Sequence, residues 1–250
     1  METLDHDSNH ETPWHVHLSG QLYWLKRGII LIETENAQWP ITPGSVGWIP
    51  AKLAHKAKVL AAVHGHILHF DSSDNMVLPE APKIFRMDSL VQSLLQRATC
   101  LDGNHYPASY VTQLIGILGY EIQSMEELPV SLPLPVDRRA RHIADELLRC
   151  PSTGMTQAQL ANRWGVSVRT LSRIFINQTG LTFSQWRQQS KILISLQWVL
   201  DGFTISEVAE RSGYSNVSAY IEAFRQRFGE SPGKFQAKMS GIDRTHNSQE

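Results

Sequence analysis

The hydrophobic positions of the chain follow two different periods, and the change of period divides the chain into two parts. Residues 14–70 are rich in β-branched and aromatic residues, which occur in short runs. Turn residues separate these runs: Gly20, Gly28, Asn36 and Pro43-Gly44. Short apolar runs between such turns are typical of strands in a sandwich or a small barrel. After residue 70 the spacing of the apolar residues becomes helical.

Residues 106–127 carry one apolar stripe with the spacings of a helix face. Its members are Val111, Leu114, Ile115, Leu118, Ile122 and Met125. Such a stripe must be buried, either against the barrel of its own chain or against a second copy, and the pattern leaves both alternatives open. We take it as the candidate surface of a homodimer, in which case Leu118→Glu gives a folded monomer.

From residue 137 onward the pattern is helical throughout. A first amphipathic face consists of Ala140, Ile143, Ala144, Leu147 and Leu148. Three later helices are predicted to begin at capping boxes, in which a threonine precedes a glutamine or glutamate by three residues. These pairs are Thr156 with Gln159, Thr182 with Gln185, and Thr204 with Glu207.

A proline-rich segment separates the two parts. Three prolines lie between Pro129 and Pro135, and each restricts its own backbone and that of the preceding residue, so no helix crosses this segment. The predicted organisation is an N-terminal domain of residues 1–128, a linker of residues 129–136, a helical domain of residues 137–238 and a disordered tail of residues 239–250.

The net charge of −1 hides an asymmetry between the two parts. Residues 1–136 contain eight Lys and Arg against fourteen Asp and Glu, whereas residues 137–250 contain fifteen against ten. A basic half joined to an acidic half favours a module that binds a polyanion. Chance variation between two soluble domains is the alternative explanation of the charges.

Composition narrows the class of protein further. The 250 residues, of which 42% are hydrophobic, suffice for two domains with cores of their own. No apolar run approaches the roughly 18 residues of a membrane span, so we expect no membrane partner. Cys100 and Cys150 lie far apart in the sequence, which fits a cytoplasmic protein without a disulfide framework.

The helical part contains an internal repeat. Ala161 precedes Gly165 by four residues, and Ala209 precedes Gly213 by four; a serine follows each glycine two positions later. Two matching hydrophobic pairs follow, Leu171 with Phe175 and Tyr220 with Phe224. The small alanine allows two helices to cross closely, the glycine allows the sharp turn, and the serine caps the second helix. Each copy therefore predicts a helix-turn-helix, whose second helix fits a DNA major groove.

At these residues the chain resembles the AraC/XylS family of transcription regulators, because "GYSNVSAYIEAFRQRFGESPGKF" is similar to the second-motif signature of that family. The resemblance covers about residues 137–238. It implies two helix-turn-helix units, joined by a long helix from about Phe183 to Leu200, that read operator sequences in double-stranded DNA. It also implies a homodimer and a functional partnership with RNA polymerase.

This resemblance assigns DNA contacts to two recognition helices. The first runs from Ser167 to Ile176 and turns its polar side outward, with Arg169 and Arg173 one turn apart and able to reach guanine or a phosphate. The second runs from Asn216 to Phe228. The candidate DNA-binding residues are Ser167, Arg169, Ser172, Arg173, Asn216, Ser218, Ala219, Glu222, Arg225 and Arg227.

One candidate departs from the family pattern. Glu222 stands where the family often has a cation. A carboxylate repels phosphate unless it accepts a hydrogen bond from cytosine N4. The second unit is therefore expected either to bind more weakly or to recognise a cytosine.

The N-terminal part resembles the cupin motifs in two spacings, His15-x-His17-x3-Gln21-x6-Gly28 and Gly44-x5-Pro50-x4-His55. In cupins such side chains converge inside a barrel and can hold a divalent metal. The departures are Gln21 for the usual glutamate, Lys52 for a glycine and Val59 for an asparagine. The resemblance makes His15, His17, Gln21 and His55 candidate metal ligands, and these four with Trp48 candidate effector-binding residues. We interpret His64, His66 and His69 as ordinary strand residues.

Taken together, the expected fold is a two-domain α+β protein, with a cupin-like β-barrel and following helices before an all-α domain of two helix-turn-helix units. The expected function is sequence-specific transcription regulation in response to a small-molecule effector in the barrel, without enzymatic activity. For the barrel, a divalent metal site, a metal-free organic-effector pocket and a purely structural role stay open. The alternative functions are a metal-dependent cupin enzyme fused to a DNA-binding domain and an effector-independent architectural DNA-binding protein.

Overall fold

A computed structural model describes residues 1–70, 78–101 and 106–246, with side chains described as far as Met239. The chain divides into two units. The first contains residues 1–32 and 39–129, and the second contains residues 33–38 together with the chain from Val130 onward. Within the described part of the chain, no helix is both long enough and apolar enough to cross a bilayer.

The first unit is built around an antiparallel sheet followed by two helices. It contains the strands β1 (Glu2–His6), β4 (Ser45–Ile49), β5 (His55–Phe70) and β6 (Lys83–Arg86), most of β2 (Gly20–Thr34) and β3 (Ala37–Ile41), and the helices α1 (Ser89–Thr99) and α2 (Ala108–Ser124). The strands pair in the order β1-β5-β2-β3, while β4 pairs with β2 and β6 with β4. A mixed fold with an N-terminal sheet and C-terminal helices is thus what the sequence predicted.

The apolar stripe of α2 packs inside the first unit. Leu114, Leu118 and Ile122 belong to one core with Leu22 and Trp24 of β2, and Leu118 and Ile122 are fully buried. Of the two alternatives that the pattern left open, the structure shows packing within the chain. The stripe is therefore unavailable to a second copy, and the proposed homodimer surface on these residues is wrong.

The second unit consists of seven helices and one short strand among the described residues. They are β7 (Leu132–Pro133), α3 (Arg138–Arg149), α4 (Gln157–Arg163), α5 (Val168–Thr179), α6 (Phe183–Leu200), α7 (Ile205–Arg211), α8 (Val217–Phe228) and α9 (Pro232–His246). The central helix α6 contacts α3, α5, α7, α8 and α9. Its buried face includes Trp186, Leu196 and Val199, so α6 is the scaffold on which the other helices pack.

Three of these helices begin at the predicted capping boxes. The hydroxyls of Thr156, Thr182 and Thr204 each accept a hydrogen bond from the backbone N–H three residues later, and the side chain of that later residue accepts one from the threonine N–H. Both halves of each box are present, so α4, α6 and α7 start where the sequence placed them.

All of the predicted linker except Pro129 belongs to the second unit. Leu132 and Pro133 pair with Gln38 and Ala37. The indole N–H of Trp186 donates to the Pro133 carbonyl at 2.6 Å. Proline lacks an N–H but keeps its carbonyl, so a proline-rich segment can still be held by donors. At the other end, α9 runs past the predicted boundary at residue 238 to His246, while residues 247–250 of the expected tail lie outside the described residues.

The second unit also contains residues 33–38, which the sequence did not associate with it. The Arg141 guanidinium of α3 donates to the Glu33 carboxylate and to the Glu35 carbonyl, both at 2.9 Å. The Leu134 N–H donates to the Asn36 carbonyl at 2.7 Å. These contacts hold residues 33–38 to the beginning of the helical unit.

Candidate nucleic-acid interface and histidine cluster

Helix α5 is fixed at both ends and along its inner face. It follows Gly165, whose φ of 64° lies in the left-handed region, and ends at Gly180 with a φ of 71°. The Ser167 hydroxyl accepts from the Thr170 N–H at 3.1 Å, as a capping residue does. Leu171 and Phe175 are fully buried against the unit's core. The predicted turn, cap and hydrophobic pair of the first repeat are all present.

The opposite face of α5 carries the candidate arginines. Arg169 and Arg173 are exposed and lie one turn apart on that face. Ser172 between them is half-buried, and its hydroxyl accepts from the Gln157 amide of α4 at 2.8 Å. The structure therefore places two cations on the surface and gives Ser172 a role in joining α4 to α5.

Helix α8 repeats this arrangement with a different cap. It follows the turn at Gly213, whose φ is 72°, and ends at Gly229 with a φ of 78°. The capping side chain is Asn216, whose amide oxygen accepts from the Ser218 N–H at 2.8 Å. The prediction that Ser215 caps this helix is wrong, because the extra residue of the second copy moves the helix start by one position.

The inner face of α8 is anchored to α6. Tyr220 and Phe224 are fully buried, and the Tyr220 hydroxyl lies 3.0 Å from the Ser195 hydroxyl. Burial raises the pKa of Tyr220, so the phenol stays protonated and bound to its partner. Phe228 at the end of the helix is half-buried. The second recognition-helix candidate is thus held as firmly as the first.

The outer face of α8 carries polar and small residues. Ser218, Ala219, Glu222 and Arg225 are exposed. The Glu222 carboxylate accepts from the Arg225 guanidinium at 3.3 Å and from the Gln226 amide at 3.2 Å. Glu222 therefore neutralises part of the positive charge that its own helix would offer to DNA.

Arg227 is not on this surface, which corrects the prediction of a DNA contact. Its guanidinium donates to the carbonyls of Val130 and Ser131 and to the Gln189 side chain of α6, at 2.8, 3.1 and 2.8 Å. Burial lowers the pKa of Arg227 to about 10. The turn of the helix between Arg225 and Arg227 carries the second arginine to the covered side.

In the first unit, three of the predicted effector residues meet. One ring nitrogen from each of His15, His17 and His55 lies within 4.8 Å of the others. The segments that carry them are joined by backbone hydrogen bonds. The His15 N–H donates to the His55 carbonyl at 2.9 Å, and the His55 N–H donates to the His15 carbonyl at 3.0 Å. The Lys52 N–H donates to the His17 carbonyl at 2.8 Å.

The surroundings of the histidine cluster (His15, His17 and His55) lower the pKa of two of its rings. Burial, and then the neighbouring His15 and His69, lower the pKa of His17. Burial also lowers the pKa of His55, whose side chain is almost completely buried, against an opposing effect of its hydrogen bond to the Leu53 carbonyl. Neutral imidazoles are the form in which histidine binds metals.

The other two predicted effector residues have partners of their own. Gln21 is buried, and its side-chain oxygen accepts from the Tyr23 hydroxyl at 3.1 Å. Trp48 faces Leu22 across the β2–β4 pair and lies in the apolar core, with its indole N–H bound to the Pro79 carbonyl at 2.7 Å. Neighbouring residues of a strand point to opposite faces of the sheet. The five predicted effector residues therefore do not all meet, although they belong to the same two motifs.

Sequence reasoning missed a residue beside the cluster. The ring of His69 is centred 6.3 Å from that of His17, and its two nitrogens lie 3.2 Å from the Ser19 hydroxyl and 3.2 Å from the Glu2 carboxylate. His69 stands near the end of β5 while His55 begins it. Since 14 residues of straight strand span about 46 Å, β5 must curve strongly to bring both towards His17.

Comparison with known proteins confirms the helical unit as a DNA-binding domain. A family profile described as "Helix-turn-helix domain" matches residues 160–238, which include α5 to α8. The transcriptional regulator NimR of Escherichia coli K12 is 27% identical over 231 residues, covering 92% of this chain and 84% of NimR. The transcriptional regulator RipA of Corynebacterium glutamicum is 34% identical over 110 residues, covering 44% of this chain and 33% of RipA.

Among solved structures, ToxT from Vibrio cholerae O395 is similar over 96% of this chain and 97% of ToxT, with a TM-score of 0.43 and 12% sequence identity. The relatives NimR and RipA are both named as transcriptional regulators. The predictions of transcription regulation and DNA binding are confirmed by these relatives and by the matched domain.

Proposed function

We propose that the chain is a transcription regulator of the AraC/XylS family, and that it recognises one operator sequence through two helix-turn-helix units, α4–α5 and α7–α8. We further propose that an effector bound in the first unit changes this recognition. The matched relatives are regulators rather than enzymes, which speaks against the metal-dependent enzyme alternative.

The observation that carries the proposal is the repeated anchoring of α5 and α8. Each helix follows a left-handed glycine, ends at another, and buries a hydrophobic pair in the core around α6. A helix that is fixed in this way holds the side chains of its outer face in a constant register. Both outer faces are exposed, as recognition helices must be to enter a major groove.

The exposed residues suggest different tasks for the two helices. Arg169 and Arg173 can form bidentate hydrogen bonds to guanine or bind phosphates. On α8, Ser218 and Ala219 suit close contact with a base edge or a backbone, and Arg225 suits a phosphate. The capping residues Ser167 and Asn216 sit at helix starts, where phosphates commonly bind.

The test is a selection from random duplex oligonucleotides with the full chain, followed by affinity measurements at several salt concentrations. We expect one preferred sequence, and an affinity that falls steeply with salt because each phosphate contact releases counterions. Arg169→Ala and Arg173→Ala should each cost about 1–3 kcal/mol if the arginine reads a base, and should weaken all sequences alike if it binds a phosphate.

The control is Arg97→Ala on α1, which removes the same charge from an exposed arginine of the other unit. This change should leave the operator affinity unaltered. Recovery of no preferred sequence by the folded protein would reject the proposal, as would an equal loss of affinity in all three variants.

Two further partners belong to the proposal. We propose a homodimer formed through the first unit; the uncovered side of α2 carries Ile117 and Tyr120, which are 49% and 78% exposed. Sedimentation of the full chain tests this.

RNA polymerase is the other partner, since a regulator acts on the initiation of transcription in the cytoplasm. Transcription from an operator-bearing template with purified polymerase should change on addition of the protein.

A further inference from the structure

The histidine cluster of the first unit has the backbone frame of a preorganised site. His15 and His55 exchange both of their backbone hydrogen bonds, and Lys52 fixes the carbonyl of His17. The three rings are centred 4.5, 4.8 and 5.4 Å from one another. The relative positions of the rings therefore depend on short backbone contacts rather than on long flexible side chains.

Two of the rings, those of His15 and His55, are oriented by a hydrogen bond from Nδ1 to a backbone carbonyl two residues earlier. The Nδ1 of His15 lies 2.8 Å from the Pro13 carbonyl oxygen, and the Nδ1 of His55 lies 2.9 Å from the Leu53 carbonyl oxygen. A carbonyl oxygen can only accept, so each Nδ1 carries the proton. In a neutral ring the Nε2 then presents a bare lone pair. Metal-binding histidines in proteins commonly donate their other ring N–H in this way.

The Nε2 of His55 is an independent sign of a ligand site. His55 is only 1% exposed, and its Nε2 is buried without a hydrogen-bond partner. A buried acceptor normally has a partner, because leaving it unsatisfied costs free energy. A cation at the centre of the cluster would provide the partner that the chain does not.

The distances allow such a cation to be bound by all three residues. The ligand nitrogens lie within 4.8 Å of one another. In a tetrahedral site with metal–nitrogen bonds of about 2.0–2.1 Å the nitrogens are about 3.4 Å apart. Each pair thus has to close by about 1.4 Å at most, which small rotations of the rings can supply.

The donor set selects the class of metal. Three imidazoles without a thiolate suit Zn²⁺, Ni²⁺ or Cu²⁺, whereas Mg²⁺ and Ca²⁺ prefer oxygen ligands. Three protein ligands leave a fourth position open for water or a small anion. His69 contacts Ser19 and Glu2 instead of joining the cluster, and the Glu2 carboxylate is the negative charge that acts on His17.

We propose that His15, His17 and His55 bind a divalent transition-metal ion, and that this ion is the effector of the regulator. The second statement rests on the proposed function, because it requires that the chain binds an operator. The ion would act by favouring one state of the protein over another, so its binding and operator binding must influence each other equally.

The experiment uses the full chain after treatment with a chelator. Zn²⁺, Ni²⁺ and Co²⁺ are titrated by calorimetry, with the Co²⁺ absorption spectrum as a direct report of nitrogen coordination and Mg²⁺ as the negative control. We expect one ion per chain and a rise in thermal stability. His17→Ala and His55→Ala should each lower the metal affinity about 100-fold.

Matched variants keep this test decisive. His64→Ala removes another half-buried histidine from β5, one that lies near Asp5 rather than in the cluster, and should leave the metal affinity unchanged. His17 is less buried than His55, so His17→Ala tests the site even where His55→Ala fails to fold. An unmodified chain that binds no transition metal would overturn the site, as would binding that survives both cluster variants.

The regulatory part is tested by measuring operator affinity with and without the ion. We expect a change of about five-fold or more, which His17→Ala abolishes. Equal affinities of the metal-bound and metal-free chain would overturn the effector role and leave the proposed function intact. A chain that binds metal but prefers no DNA sequence in either form would instead reject the proposed function, and with it the effector role.

Discussion

Arg227 of α8 donates a hydrogen bond to the carbonyl oxygen of Val130, at a distance of 2.8 Å. The same guanidinium binds Ser131 and Gln189, so one side chain connects a helix of the second repeat with α6 and with the segment that precedes α3. Arg227 and Arg225 are only two positions apart, yet one stabilises the fold while the other remains exposed.

This difference predicts opposite outcomes for two arginine variants. Arg227→Ala removes a buried guanidinium and leaves carbonyl acceptors unpaired, so we expect a loss of about 2–4 kcal/mol in the free energy of unfolding. Arg225→Ala breaks only an exposed ion pair and should change stability by less than about 0.5 kcal/mol. Chemical denaturation followed by helical circular dichroism measures both.

DNA binding should show the opposite order, with the larger effect in Arg225→Ala and the smaller effect in Arg227→Ala. Arg225→Ala is expected to lower the salt dependence of DNA binding by about one phosphate contact. Arg227→Lys keeps the charge but lacks the planar guanidinium fork that binds the three acceptors. Its free energy of unfolding should therefore also be lower than that of the parent protein. A stable Arg227→Ala protein that binds DNA weakly would show that Arg227 contacts DNA after all.

The burial of Leu118 predicts that a charge there prevents folding. Leu118→Glu places a carboxylate in an apolar core, which should cost about 4 kcal/mol or more. Ile117→Glu is the matched control for folding, because the neighbouring side chain is 49% exposed. Since Ile117 lies on the proposed dimer surface, this variant is expected to fold but to sediment as a monomer. Thermal unfolding and sedimentation of both variants provide the measurement. A folded, monomeric Leu118→Glu protein would restore the stripe as the dimer surface.

The parts of the fold that local chemistry determines could be predicted from the sequence. The long helix from Phe183 to Leu200 has the predicted ends, because its first turn is closed by the Thr182–Gln185 capping box. Caps and left-handed glycines act within a few residues, so a motif of four to six residues specifies them. The same reasoning located the starts of α4 and α7.

Contacts between distant segments could not be predicted in this way. Helical periodicity puts Arg227 on the same face as Tyr220 and Phe224, but it does not show that residues 130 and 131 cover that side. Likewise nothing local indicates that Arg141 binds Glu33, which is more than a hundred residues away. Such pairs depend on the tertiary arrangement, which no local pattern contains.

The candidate sites show the same division. The cupin-like spacing identified three histidines that do meet, whereas Gln21 and Trp48 from the same motifs have other partners. His69 was passed over because its position beside His17 depends on the curvature of β5. Spacing predicts which residues share a strand, and the bend of the strand decides which of them come together.

Lys52 provides a prediction about the loop that supports the histidine cluster. It stands where the cupin pattern has a glycine, and its φ of 62° is in the left-handed region that glycine favours. Lys52→Gly should therefore raise the free energy of unfolding by about 1 kcal/mol. Asn9→Gly is the comparison, because Asn9 has a φ of 68° but asparagine tolerates this region, so the gain should be smaller.

Thermal unfolding of the two glycine variants measures the difference. Lys52→Gly should keep the transition-metal affinity of the parent protein, because the Lys52 contact to the His17 carbonyl comes from the backbone. A lower stability of Lys52→Gly would mean that the lysine side chain makes a contribution larger than the backbone strain.

Glu222 predicts a gain of DNA affinity on removal of a side chain. It lies on the exposed face of α8 and forms an ion pair with Arg225. Its carboxylate therefore repels phosphates and also compensates the charge of Arg225. Glu222→Ala should strengthen binding to non-specific DNA, because it removes a carboxylate that repels phosphates and leaves the charge of Arg225 uncompensated. Glu80→Ala, which removes an exposed carboxylate from the first unit, is the control for net charge.

The alternative role of Glu222 gives a different result in the same measurements. If the carboxylate accepts a hydrogen bond from cytosine N4, Glu222→Ala should relax the preference at one base pair by about 1–3 kcal/mol. Fluorescence anisotropy on the operator and on its single-base variants separates the two roles. An unchanged affinity and an unchanged preference would show that α8 does not bring Glu222 to the DNA, and would place the reading of sequence on α5 alone.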